Sequence, residues 1–348
     1  MHEFDSPGSN RRYVYFGLSL VLSIGLVGYL LHQIEIKDLI RALKNLYVPT
    51  LMVYCFLAIL GVLTRAYRYS VLIFPSTTRY RDLVLVTLVR NLFVDLIPAR
   101  IGSLSYVYLI NRRLGFPFET AASSFLVAFL FDFIVLFPMF FAAIFWIQSD
   151  SFFSLSFPFV VVCILLFIAT IAILMFLGPI IRIAVHIGVL LVQKSPFIDN
   201  PMVKRIIDKL LLTAQDLERI KRCKNAYGKI ILSSFLIRGF KYGSLYFLLH
   251  SVLFQFNFRL QDLNFINVFL GILGAELSAV LPIHGVAGFG TWESAWTLTF
   301  KMMGYFDPKI AIVSGFGVHL TTQAFEYFLG IIALLILYLP LKYGSKRI

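Results

Sequence analysis

The chain is expected to be an all-α polytopic membrane protein, built as an inverted repeat of three spans plus one re-entrant broken-helix hairpin per half. Three observations predict this. The sequence is 59% hydrophobic with a mean hydropathy of +0.85, and only 14% of its residues are charged, against about 25% in an ordinary soluble domain. Several apolar runs approach or exceed the roughly 20 residues that cross a bilayer as a helix. Two stretches, Leu96 to Asn111 (LIPARIGSLSYVYLIN) and Val280 to Trp296 (VLPIHGVAGFGTWESAW), interrupt those runs with proline and glycine. Non-helical backbone at membrane depth survives only where protein buries it or where it lines a watery cavity. A matched pair of such breaks therefore marks a candidate binding site.

The net charge of +13 has a membrane explanation, because basic residues gather in short loops as cytoplasmic loops do. Nucleic-acid binding is excluded, since no basic, aromatic-interleaved soluble module is left over to perform it. The cysteines, Cys55, Cys163 and Cys223, are far apart and lack a C-x-x-C spacing. No disulfide framework or metal site is expected from them, and no cofactor is called for.

Taken in order, Arg11 and Arg12 hold the start of a first span over Tyr13 to Leu31. No small-residue cleavage site follows it, so it is read as a retained span and not as a signal peptide. Ile36 to Tyr47 spaces Ile36, Leu39, Ile40, Leu43 and Leu46 for one helix face, a short amphipathic helix on the outer surface. A second span, Thr50 to Tyr67, leads to a cytoplasmic cluster of Arg65, Arg68, Arg79 and Arg81. Asp82 to Ile97 and Ser103 to Leu114 flank Pro98 as the first re-entrant hairpin, basic at both ends. Thr120 to Ile147 then crosses to an external loop, Gln148 to Ser156, and Phe157 to Gly178 returns, ended or kinked by Pro179, with Ile180 to Val192 as an interfacial continuation. Asp199 to Lys224 is strongly basic and reads as one or two interfacial amphipathic helices on the cytoplasmic side. Lys229 to Leu253 crosses outward, Leu263 to Met303 forms the second hairpin, and Ala311 to Leu339 returns to a cytoplasmic C-terminus marked by Lys342, Lys346 and Arg347.

The expected sum is six full spans and two hairpins entering from opposite faces, in half-repeats of about 11–147 and 157–341 within a single transmembrane domain. Ile97-Pro98 matches Leu281-Pro282, and Phe131-Asp132-Phe133 matches Phe325-Glu326-Tyr327. An inverted repeat with breaks at corresponding places is a transporter architecture.

Ionisable groups inside spans are expensive and default to functional hypotheses. Here they are Arg90, Asp95, Arg100, Asp132, Arg238, Lys241, Glu276, Glu293 and Glu326. Arg90 and Asp95 either pair locally or serve the site. Arg238 and Lys241 share a helix face, where they either meet one anionic group or neutralise Glu276 or Glu326. Glu293 either caps a half-helix that begins after Gly290 or works in the site, carrying a proton or paired with a cation such as Lys241 or Arg238. His284 is a loop residue or a base. Tyr106, Tyr108, Trp292 and Trp296 either anchor the protein at the interface or line an acyl-chain groove. The run Gly288-x-Gly290-x-x-Glu293 is not a dinucleotide fingerprint, since it lacks the third glycine and a preceding strand.

At the two broken stretches the chain resembles the lysylphosphatidylglycerol synthase transmembrane family, the flippase-like domain of multiple peptide resistance factors and their stand-alone inner-membrane relatives. The resemblance rests on Pro98, Gly102 and Arg112 in the first stretch, and on Pro282, Gly288, Gly290 and Glu293 in the second. Ser103 stands where the family often has glutamate, and Ala128–Phe129 where a Glu-Arg pair often precedes the aspartate, here Asp132. A role for a first-stretch acid therefore does not carry over.

The resemblance implies movement or handling of lipids. No soluble aminoacyl-transferase domain follows Ile348, and the synthase activity is not expected. The expectation is a lipid flippase of the inner membrane, not an enzyme, with both termini cytoplasmic. Its substrate is a phospholipid with an anionic or zwitterionic headgroup, or a polyprenyl-phosphate-type lipid, drawn to half-helix starts near Ser103 and Thr291. The alternatives are a membrane-embedded enzyme or enzyme subunit acting on a lipid-linked substrate, such as a glycosyltransferase partner, and a non-transporting envelope assembly factor. Membrane lipids are the expected partners, with a second copy of the chain or envelope-biogenesis enzymes beside them.

Overall fold

Every element assigned in the computed structural model is helical, as an apolar chain needs, because a helix satisfies its own backbone polar groups where water cannot. The described residues are 8–73, 78–147, 157–192, 200–222, 224–278 and 285–338. The helices are α1 (Gly8–His32), α2 (Ile36–Lys44), α3 (Val48–Ile73), α4 (Tyr80–Leu96), α5 (Ser105–Arg112), α6 (Phe118–Ile147), α7 (Phe157–Val192), α8 (Pro201–Arg222), α9 (Lys224–Leu253), α10 (Phe265–Leu277), α11 (Thr291–Met302) and α12 (Pro308–Tyr338). Four of them contain stretches long and apolar enough to cross a membrane: Val48–Ile73, Phe118–Ala143, Ile164–Val189 and Pro308–Tyr338. A fifth arises if Leu20–His32 and Ile36–Lys44, bent by 92°, count as one span. Six were expected. The shortfall lies in α1, which counts only together with α2, and in α9, whose 30 residues suffice in length but whose Arg238, Lys241 and interspersed Gly and Ser lower its hydropathy.

Both expected breaks are present. α4 gives way to a 3₁₀ run, Pro98–Leu104, before α5, and α11 is preceded by a 3₁₀ turn, Val286–Gly288. Of the two expectations for Pro179, ending the helix or kinking it, the first does not hold: Pro179 lies inside the 36-residue α7. Proline removes one backbone donor, and a long helix in an apolar setting tolerates that loss.

The chain forms two compact units. One comprises Met1–Ala58, Leu88–Ser103 and Lys241–Ile348; the other comprises Ile59–Thr87 and Leu104–Phe240. In the first, α10 packs against α11, α11 against α12 and α1, and α2 against α12. Small residues set that spacing: a Cβ on Gly271 would lie 2.1 Å from Phe300, and one on Gly274 2.2 Å from Thr299. α2 buries Leu39 and Ala42, while Ile36 and Ile40 of its expected apolar face stay exposed, and Asp38 reaches Lys309 of α12 at 3.1 Å.

In the second unit α6, α7 and α8 pack mutually, with α5 on α6. The basic segment is thus one helix with a buried face, where Thr213, Ala214, Leu217 and Ile220 are covered. Asp216 accepts from Ser123 of α6 at 2.7 Å, and Arg182 of α7 meets Glu218 at 3.0 Å. The predicted external loop, Gln148 to Ser156, together with Cys223 and the basic C-terminal residues, lies outside the described residues.

Candidate functional site

The second break is held by hydrogen bonds that its sequence pattern requires. A Cβ on Gly285 would sit 1.8 Å from the Phe289 carbonyl oxygen and 2.5 Å from Ser23 Oγ, so only glycine fits. Ser23 of α1 accepts from the Val286 N–H at 2.7 Å and donates to the Phe289 carbonyl at 3.1 Å. Thr291 accepts from Gly285 N–H and donates to the Gly288 carbonyl. Three residues take positive φ: Ala287 at 52°, Gly288 at 79° and Gly290 at 83°. Glycine does this freely; for Ala287 it is an uncommon conformation that the surroundings must hold.

What holds it is a polar cluster inside the first unit. Glu293 is 0% exposed. One carboxylate oxygen accepts from the Gly290 N–H at 2.8 Å, and the other is 2.6 Å from His319 Nδ1. Gln323, one turn further along α12, donates from Nε2 to the Ala287 carbonyl at 2.6 Å, and the same nitrogen is 2.8 Å from His319 Nε2. The rings of Phe289 and Trp292 flank the imidazole, with centroids 5.0 and 4.8 Å away. Glu293 therefore both caps α11 and pairs with a titratable partner. That partner is His319, not the expected Lys241 or Arg238. The N-terminus of α11, expected to attract a lipid phosphate, is occupied by the protein's own carboxylate.

Asp132 lies at the centre of a second cluster, in the other unit. Arg68 forks onto it, Nη1 to Oδ1 at 2.6 Å and Nη2 to Oδ2 at 3.3 Å, and Nη1 also donates to Ser234 Oγ at 2.9 Å. Arg238 Nη2 donates to the Asp132 backbone carbonyl at 3.4 Å, and Arg65 lies within electrostatic reach of the carboxylate. The sequence places Arg68 in a cytoplasmic cluster with Arg65, Arg79 and Arg81. That arginine is 1% exposed, because α3 runs on to Ile73 and carries Arg68 inside the packed helices.

Lys241 and Glu276 form an ion pair, and Tyr242 donates to the same carboxylate at 3.3 Å. This is the neutralising role considered for Lys241; Arg238 has a different destination, at Asp132. Glu326 neighbours Tyr54. Arg90 bonds the adjacent Asn91 at 3.3 Å.

At the first break, a Cβ on Gly102 would fall 1.6 Å from the Phe93 carbonyl oxygen, which explains the glycine. Ser103 is partly exposed. The half-helix start expected there is not open: Leu104 has helical φ and ψ and carries the 3₁₀ run directly into α5. The side chains of Asp95, Pro98 and Arg100, and all of Pro282 and His284, lie outside the described parts. Two aromatic expectations are corrected. Tyr106 is fully buried, stacked on Tyr69 and bonded to Ser124, and Trp296 is fully buried with Nε1 donating to Ser314. Neither anchors an interface or lines a groove.

The two clusters also hold Arg68, Ser234, Ser23, His319 and Gln323, which the candidate site residues read from the sequence do not include. For His319 a signal existed: an imidazole inside an apolar run, with an amide four residues on, shares one helix face with it. Among the described residues no group of three His, Cys, Asp or Glu side chains converges on a metal position.

Comparison with curated protein sequences finds no match. Against family models, residues 17–338 match the family described as Lysylphosphatidylglycerol synthase TM region, nearly the whole chain. A multi-pass apolar helical chain, broken twice by glycine-dependent turns, thus belongs to the lysylphosphatidylglycerol synthase TM region family.

Proposed function

We propose that the protein moves a phospholipid, or a polyprenyl-phosphate-type lipid, between the leaflets of the inner membrane, as a transporter and not as an enzyme. One observation carries this reading: a buried acid–histidine pair joins Glu293, on α11 just after the 285–290 turn, to His319 of α12 in a largely apolar helical chain. Ionisable pairs at such depth are costly and are kept where they serve a pathway or a proton relay, and broken helices are where transporters place their sites. The Arg68–Asp132–Arg238 cluster supports an anionic or zwitterionic headgroup, since it sets three arginines, with Arg65, around one aspartate. The N- and C-termini are proposed to be cytoplasmic, and a second copy of the chain or an envelope-biogenesis enzyme is the proposed protein partner.

The test is leaflet translocation of labelled lipids in proteoliposomes. Purified protein should accelerate exchange of at least one headgroup class over empty vesicles. Rates equal to empty vesicles for anionic, zwitterionic and polyprenyl-phosphate lipids overturn the reading.

A further inference from the structure

We infer that Glu293, His319 and Gln323 form a proton-binding latch on the 285–290 turn: one added proton releases the turn from α12. The argument rests on hydrogen-bond polarity. The Ala287 carbonyl can only accept, so the Gln323 atom 2.6 Å from it must be the amide NH2. The same NH2 faces His319 Nε2 at 2.8 Å. Nε2 must therefore be the acceptor, and the imidazole proton lies on Nδ1, donated to Glu293. The chain of bonds runs in one direction, from Gln323 through His319 to Glu293, while Gln323 and Glu293 grip the turn at Ala287 and Gly290.

An added proton reverses that direction wherever it resides. If it stays on the imidazole, both ring nitrogens carry hydrogen. If it moves to Glu293, the carboxylic acid donates to Nδ1 and the ring becomes the Nε2–H tautomer. In both states Nε2–H faces Gln323. The amide must then turn its oxygen toward the ring, which sets that oxygen against the Ala287 carbonyl and ends the grip on a residue held at φ 52°.

The ring's surroundings leave Glu293 as the group that governs it. On α12 itself Lys309 pairs with Asp38 of α2, and Glu326 neighbours Tyr54. On α10, Glu276 is held by Lys241. Lys301 of α11 is exposed, as are Lys37, Arg41 and Lys44 of α2 and His32 at the end of α1. The α1 residue on the turn is Ser23. Among the described residues no charged side chain other than Glu293 bonds the imidazole.

The consequence for transport, that lipid movement follows protonation, rests on the proposed function; the latch itself does not. The test uses the full chain in lipid nanodiscs. Trp292 lies beside His319, so its fluorescence should step as the cluster takes up the added proton during a pH titration, and His319→Asn should abolish the step. Through that step, exchange of the 285–290 amides, corrected for intrinsic pH dependence, should accelerate about tenfold, the weight of one hydrogen bond. Gln323→Met should give the fast exchange at every pH while keeping the fluorescence step. Gln323→Leu, which likewise cannot donate, should behave in the same way if the Met variant fails to fold.

A wild-type turn whose exchange does not change through the step overturns the latch, and so does a step that survives His319→Asn. A translocation rate indifferent to pH across the step overturns the coupling. Absence of translocation at any pH, with the step and the exchange change intact, defeats the transport reading and leaves the latch standing.

Discussion

Replacing Asp132 with leucine should destabilise the protein severely, and replacing Arg68 as well should largely reverse the damage. Arg68 is 1% exposed and spends its Nη1 and Nη2 donors on Asp132, with Ser234 taking a further bond. Removing the carboxylate strands a buried guanidinium, and breaking a buried pair from one side costs about 3–5 kcal/mol. Asp132→Leu also leaves Arg68, Arg65 and Arg238 gathered where their shared acid has gone. The single change Arg68→Met should cost less, because Arg65 and Arg238 remain within reach of the carboxylate. The double variant, Arg68→Met with Asp132→Leu, replaces the pair by apolar volume, an exchange that is often neutral or stabilising. Reversible unfolding in mixed detergent micelles gives the three free energies, and their cycle gives the coupling. An Asp132→Leu protein as stable as the wild type would refute the reasoning. A stable double variant without translocation would place the Arg68–Asp132 pair in the site itself and not only in the fold.

Glu293→Gln keeps one acceptor, which Gly290 N–H takes, and turns its NH2 toward His319. We expect a cost of about 1–3 kcal/mol, normal insertion and lost translocation; a fully active protein would remove this acid from the site. Gly285→Ala and Gly102→Ala each set a methyl inside 2 Å of a backbone oxygen, at 1.8 and 1.6 Å, so both turns must rearrange. Faster proteolysis or exchange at the altered turn is the expected readout, and unchanged protection would show that the turn is misdescribed. Tyr106→Phe removes the hydroxyl bonded to Ser124 and should cost about 1 kcal/mol while leaving translocation intact; a selective loss of translocation would restore Tyr106 to a lipid groove.

The membrane class and the two broken helices could be read from the sequence because both are local properties. Hydropathy sums along a run, and Pro98 restricts its own backbone while Gly102, Gly288 and Gly290 free theirs wherever they are placed. Glu293 was identifiable for the same reason, being an acid three residues after a glycine at a helix start. Its partner was not, since His319 lies 26 positions away on another helix. Asp132 and Arg68 are 64 apart, and Lys241 and Glu276 are likewise on different helices. Such pairings depend on the rotation and axial offset of packed helices. Helices that are apolar nearly all round carry no polar stripe to reveal which face turns inward. The same lack of a stripe hid the burial of Arg68, Tyr106 and Trp296. Composition and backbone chemistry determined that this chain enters a membrane and where its helices break; only the packing of those helices decided which buried charges meet.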